Sequence, residues 1–310
     1  MNSTRYFKAI TLIACISTIM PITLFAQDAT SSDTATMLSL LESGTHTFDK
    51  AKACQRLTII GDETAVPALA ALLGDERLSA YAREALEAIP GPAPDAALRE
   101  SLTRLEGERL IGVLGSIGVR RDAEAVDAIV ELLDSDDQAI ASAAARSLGH
   151  IGTPAAADIL RMTLSDTTPA LRPAVGNACL ICAQELLRDG ETETALTLFD
   201  AVENADVPEH IRLFATSSAI RAQGEAGLPL LIELLQSEEE SRFRHALFLA
   251  RYIGFDVALD FANEFDNLSP SRQVMLLILL GDIGNQAVLP TVLEAAQTGE
   301  REVRIEAIYT

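Results

Sequence analysis

One joint recurs along this chain and constrains the fold more than any other feature. Ile-Gly stands at Ile60-Gly61, Ile117-Gly118, Ile151-Gly152, Ile253-Gly254 and Ile283-Gly284. Weaker forms end at Gly190 and Gly224, and in AIPGPAPDAAL Pro90 takes the glycine's place with Gly91 behind it. From Gly61 to Gly284 the successive spacings are 30, 27, 34, 38, 34, 30 and 30 residues. A period near 30 marks a stacked supersecondary unit. One unit cannot bury its apolar face alone, and its neighbour supplies the missing wall.

Each unit follows one grammar. A short polar turn comes after the glycine, often with proline: Pro67, Pro229 and Pro290 stand five or six residues past it. A first helical turn tolerates that ring because its N–H has no intrahelical partner anyway. A first helix follows. In AVDAIVELLDSDD, Val126, Ile129, Val130 and Leu133 fall at i, i+3, i+4 and i+7, one helix face. An acidic turn leads to a second helix, such as QAIASAAARSLGHI, and the next glycine closes the unit in the left-handed conformation that ends helices. Composition agrees: aromatics are 5%, Trp is absent, and helix formers outnumber β-branched runs. The expected fold class is all-α, an α-solenoid of stacked helical hairpins.

The segments PALAALLGDE and EVRIEAIYT resemble HEAT repeats, in particular the short HEAT-like type of bilin lyases. The resemblance covers roughly Asp33 to Thr310 and implies a right-handed superhelix. FDKAKACQRLTIIGDETAVPALAALL and GVLGSIGVRRDAEAVDAIVELL also resemble the amino-terminal repeats of large secreted bacterial proteins. There, similar repeats precede a sugar-hydrolase-like or cytochrome c domain. From Gly284 a closing glycine is due about 30 residues on. The last repeat therefore reads as incomplete and the chain as a fragment of a longer reading frame.

Residues 1–26 read as a secretory signal peptide: Arg5 and Lys8, an apolar run from Ala9 to Phe25, then Ala26 before a polar stretch. Cleavage is expected after Ala26, with 27–32 a short disordered linker and 33–310 the solenoid. An uncleaved anchor is the alternative. LIAC at Leu12–Cys15 resembles a lipobox, but only six residues separate Lys8 from Cys15, short for such a core. The expected location is periplasmic or secreted. The net charge of −21 becomes −23 once Arg5 and Lys8 leave, since no acid lies in that segment. So acidic a chain repels phosphate backbones and anionic lipid, which argues against nucleic acid and against any membrane role beyond the export signal.

Cys54, Cys179 and Cys182 remain in the mature chain, an odd number that forms no complete disulfide framework. Cys179-x-x-Cys182 lacks the following His of a haem attachment, and no second C-x-x-C or H-x-x-x-H offers zinc its other ligands. The pair reads first as two small buried residues at i and i+3, with a redox pair as the alternative. His46, His150, His210 and His245 have no metal or triad neighbour in sequence, and G-x-S-x-G, P-loop and H-E-x-x-H are absent. No catalytic, cofactor or metal residue is assigned.

Second helices carry Arg83, Arg146, Arg172, Arg212, Arg244 and Arg304, and first helices end in acids such as Asp75, Asp134 and Asp166. Side-by-side repeats align such residues, either as a ladder of inter-repeat ion pairs and carbonyl contacts or as a row of donors on the concave face. The function expected is that of a non-catalytic exported scaffold, a monomer binding a protein or peptide on its concave surface. The alternative is an accessory arm of a larger secreted enzyme or cytochrome c protein. A lyase-like enzyme rests on fold analogy alone.

Overall fold

The computed structural model describes residues 33–253 and 256–310. The expected signal, the linker and Gly254 of the repeat series lie outside the described residues.

Regular structure among the described residues is helical, without strands. Helix α1 spans 33–42 and pairs with α2, Thr47–Ile60. The following hairpins are α3 (Val66–Ala70) with α4 (Ser79–Ala88), α5 (Pro92–Ser101) with α6 (Gly107–Arg120), and α7 (Val126–Val130) with α8 (Gln138–Ile151). Then come α9 (Pro154–Asp166) with α10 (Arg172–Arg188), α11 (Thr192–Glu203) with α12 (Glu209–Gln223), and α13 (Leu228–Gln236) with α14 (Glu240–Ala250). The last are α15 (Ala258–Asn263) with α16 (Pro270–Ile283) and α17 (Leu289–Thr298) with α18 (Arg301–Tyr309). The chain is an all-α solenoid.

The local reasons match the grammar of the sequence. Pro67, Pro229 and Pro290 sit in the first turns of α3, α13 and α17. Of the face read for α7, Val126, Ile129 and Leu133 are buried and Val130 half-buried. Gly152 (φ 64°) and Gly284 (φ 68°) end α8 and α16 in the left-handed region. Four joints depart from the expectation. Gly91 opens α5 instead of ending α4, and Gly224 ends α12 with a ψ of −133°, outside the left-handed helical region. Gly61 ends α2 in an extended conformation. Helix α6 runs through Gly118 and ends instead at Arg121, whose φ of 54° is left-handed.

Gly118 is spared for packing. A Cβ there would stand 3.1 Å from His150 Cβ and 3.3 Å from Ser147 Cα of α8. Gly149 repeats the device one unit on, where a Cβ would stand 2.7 Å from the Ala178 carbonyl oxygen of α10. Small residues thus let α6, α8 and α10 approach backbone to backbone, whereas α5, α7 and α9 barely touch one another. At α6, α8 and α10 the stack therefore bends toward the second helices, whose exposed surface there is the inner face.

The buried side chains form two clusters. One runs from Leu41 to Ala219 and the other from Ile220 to Ala307, so the seam crosses α12.

Candidate functional site

The joints come first, because they decide which polar side chains remain free. Asp62, Asp122 and Asn285 each follow a joint directly and accept a backbone N–H two residues on, from Thr64, Glu124 and Ala287. Each closes the short turn that starts a first helix. This recurring cap was readable as an Asp or Asn at a fixed place and was missed.

Arginines clasp successive units, though mostly not those picked from the sequence. Arg120 of α6 donates to the carbonyl oxygens of Leu86 (3.0 Å), Glu87 (3.1 Å), Ile89 (2.8 Å) and Gly91 (2.8 Å), and forks onto Asp95. It thereby satisfies the orphan carbonyls at the end of α4. Arg121 reaches the Ile151 carbonyl (3.3 Å) and Asp189 (2.5 Å), tying two later joints together. Hydrogen bonding to that guanidinium holds Asp189 below the usual carboxylate range and Arg121 above its own. Arg272 repeats the clasp in the carboxyl-terminal part, donating to Ser237 O (2.5 Å) and Glu238 O (2.9 Å) while lying over the Phe243 ring at 4.5 Å.

The structure separates the predicted arginines. Arg83 lies across α6, where Gly112 leaves room, and donates to Gly112 O (3.1 Å) and Ser116 Oγ (3.4 Å). Arg172 bridges Thr167 O (2.9 Å) and Asp206 (3.1 Å) between outer helices. Arg244 is exposed and pairs with Glu240 one turn back. Arg146, Arg212 and Arg304 have no side-chain partner among the described residues. Arg83 and Arg146 share a groove, of about 310 Å3, with Glu87, Val119 and His150. Asp75, one of the acids read as a ladder member, caps the N–H groups of Arg77 and Leu78 instead.

Cys179 and Cys182 are wholly buried on α10, as is Cys54 on α2, and all three are free thiols. Burial raises the pKa of Cys182 to about 12 and that of Cys54 to about 11, and it raises Cys179 as well. Thiols held protonated in an apolar interior lack the thiolate that redox exchange uses. The described residues hold no cluster of three or more His, Cys, Asp or Glu suited to a metal ion. None of their helices is long and apolar enough to cross a membrane.

A second groove between second helices, of about 360 Å3, was not picked out from the sequence. It is lined by Gln184 and Leu187 of α10 and by Phe214, Ser217, Ser218, Arg221 and Ala222 of α12. Phe214, Ser217, Ser218 and Arg221 share one face by helical spacing. On α14, His245 and Phe248 stack at 6.2 Å, and Phe248 meets Tyr252 at 5.1 Å. Ser217 joins the two helices: its Oγ donates to Leu213 O (2.6 Å) and lies 2.5 Å from His245 Nε2. Burial lowers the His245 pKa below that of a free imidazole. Which atom donates in the Ser217 Oγ–His245 Nε2 hydrogen bond follows from the imidazole tautomer. The pair braces α12 against α14.

Residues 96–178 match the family model described as HEAT repeats. The chain thus carries HEAT repeats within its all-α solenoid. Among solved structures, an engineered protein is 18% identical, with 92% of this chain and 89% of that one covered and a TM-score of 0.39. Human deoxyhypusine hydroxylase is 21% identical over 82% of this chain and 96% of its own, with a TM-score of 0.39. The phycocyanin lyase complex of CpcE and CpcF from Nostoc sp. is 19% identical over 89% and 92%, with a TM-score of 0.33. No curated protein matches the chain.

Proposed function

We propose that this protein is an exported helical-repeat scaffold, monomeric on its own, that holds a polypeptide partner on its inner face and works by binding rather than by chemistry. One observation carries the reading: the second helices α2, α6, α12, α14, α16 and α18, or their ends, leave large apolar side chains uncovered, among them Ile59, Val119, Phe214, Phe248, Tyr252, Ile278 and Ile305. Apolar side chains that recur along one face of a strongly acidic chain are the mark of a contact surface. A stack of hairpins offers that face as one long groove. Export rests on the amino-terminal sequence alone.

Photocrosslinking side chains placed at Val119 and Phe248, and for comparison at outer Met162 and Leu259, test the reading in the native host. Crosslinks to a defined protein from the inner positions only are expected. Equal labelling of both faces, or none from either, overturns it. Cell fractionation with an intact mass tests export: material in the cytosol still carrying residues 1–26 ends that part of the proposal.

A further inference from the structure

The α10–α12 groove differs in charge from its neighbours. The chain has 45 acids against 24 lysines and arginines. Three other grooves each include a carboxylate: Glu87 beside Arg83 and Arg146, Asp200 and Asp206 beside Arg172, and Glu238 beside Arg272. The α10–α12 groove includes none, yet it holds Arg221. The Arg221 side chain has no ion pair or hydrogen bond among the described residues, and neither do the side chains of Ser218 and Gln184 beside it. The same wall carries Leu187, Phe214 and Ala222 as an apolar floor. Phe214 is 47% exposed, and across the Ser217–His245 brace Phe248 is 54% exposed.

This donor set defines a ligand chemistry. A planar guanidinium with a hydroxyl and an amide near it matches the two oxygens of a carboxylate. The apolar floor beside it takes a bulky hydrocarbon or aromatic side chain. Resting on the scaffold reading above, we infer that the groove receives an extended peptide segment of the partner in which Asp or Glu stands next to a large apolar residue. The carboxylate sits on Arg221 and the apolar side chain against Phe214. A second copy of this chain is the poorer occupant, because two chains of −21 repel each other as they approach.

Selection of short randomised peptides displayed on phage against the full-length exported protein tests the inference. Sequences pairing Asp or Glu with an adjacent Phe, Leu, Ile or Met are expected. The affinity of the best peptide should fall about tenfold in Arg221→Ala, the loss of one charge-assisted contact, and less in Arg221→Lys. Arg146→Ala, in the other inner groove, should change nothing. Arg221 is exposed and unpaired, and an unchanged helical spectrum checks that its variants fold. Enrichment without an acid, no enrichment, or binding indifferent to Arg221→Ala overturns the inference. Peptides that compete with the inner-face crosslinks yet ignore Arg221 leave the scaffold reading standing while this one falls. Peptides that bind only the outer face remove both. A dimer in sedimentation that Arg221→Ala dissociates assigns the groove to self-association and also overturns it.

Discussion

The two halves of the stack solve the same packing problem with different residues. In the amino-terminal core, Ala141, Ala144 and Ala145 of α8, with Gly118 and Gly149, bring second helices almost into backbone contact. Arg120 and Arg121 then lock the joints from outside the core. In the carboxyl-terminal core, Phe243, Phe261 and Phe265 with Leu276, Leu277, Leu279 and Leu280 fill the space, and α14 and α16 scarcely meet. Bulky filling without close backbone approach leaves more side chain over at the surface. Phe248 and Tyr252 lie uncovered beside buried Phe243 and Leu249. The lesson is that one repeat grammar accommodates both close approach through small residues, at α6, α8 and α10, and a wider step filled by large ones, at α14 and α16.

Four perturbations sharpen or break that comparison. Phe243→Ala removes a wholly buried ring and its contact with Arg272, and should cost about 4 kcal/mol. In urea, the carboxyl-terminal transition should move to lower concentration while the amino-terminal one stays. A uniform shift of a single transition would show the two clusters to be one cooperative unit.

Arg120→Ala strips four carbonyls of their donor and leaves Asp95 partly buried without its partner, a loss of about 3 kcal/mol, felt in the amino-terminal core. Arg120→Lys should recover only part, because an ammonium cannot span the fork. Full recovery would mean that charge alone holds the joint. Gly149→Ala forces α8 and α10 apart and should cost about 2 kcal/mol net of the helix propensity gained. An unchanged unfolding midpoint would disprove the close approach.

The smallest effect expected is a pH dependence confined to the carboxyl-terminal part. His245 is held below the free imidazole value of 6.5 by burial. Above that pH neither folded nor unfolded state is protonated there, and the group contributes no slope. As pH falls through 6.5 the unfolded chain takes up the proton first, so stability declines until the folded pKa is reached. Unfolding followed between about pH 7 and pH 5 should show this decline in wild type and lose it in His245→Gln. A slope that persists in the variant assigns it to other groups.

Much of this was legible in the sequence. Pro67, Pro229 and Pro290, the face of α7, and the left-handed ends at Gly152 and Gly284 stood where the pattern put them. Asp62, Asp122 and Asn285 carried a signal that went unread. The arginines did not declare their roles. Arg120 and Arg146 both sit on second helices, but only Arg120 faces the carbonyl end of a preceding helix. Arg221 was overlooked for the same reason that Arg244 was chosen: one turn of helix cannot show whether Glu240 or empty groove lies within reach.

The sequence by itself determined that this protein is all-α, built of hairpins about 30 residues long, with prolines opening them and glycines near their ends. Those are local properties, set by helical periodicity and by the φ angles that proline and glycine favour. Only the tertiary structure decided that α6, α8 and α10 approach almost backbone to backbone. It also decided that Gly118 serves packing rather than capping, and that Arg221 lies free in a groove without acids. Each of those depends on what a neighbouring unit, some 30 residues away in sequence, places against the residue in question. The same side chain is a clasp where that neighbour offers a carbonyl and a binding group where it offers none.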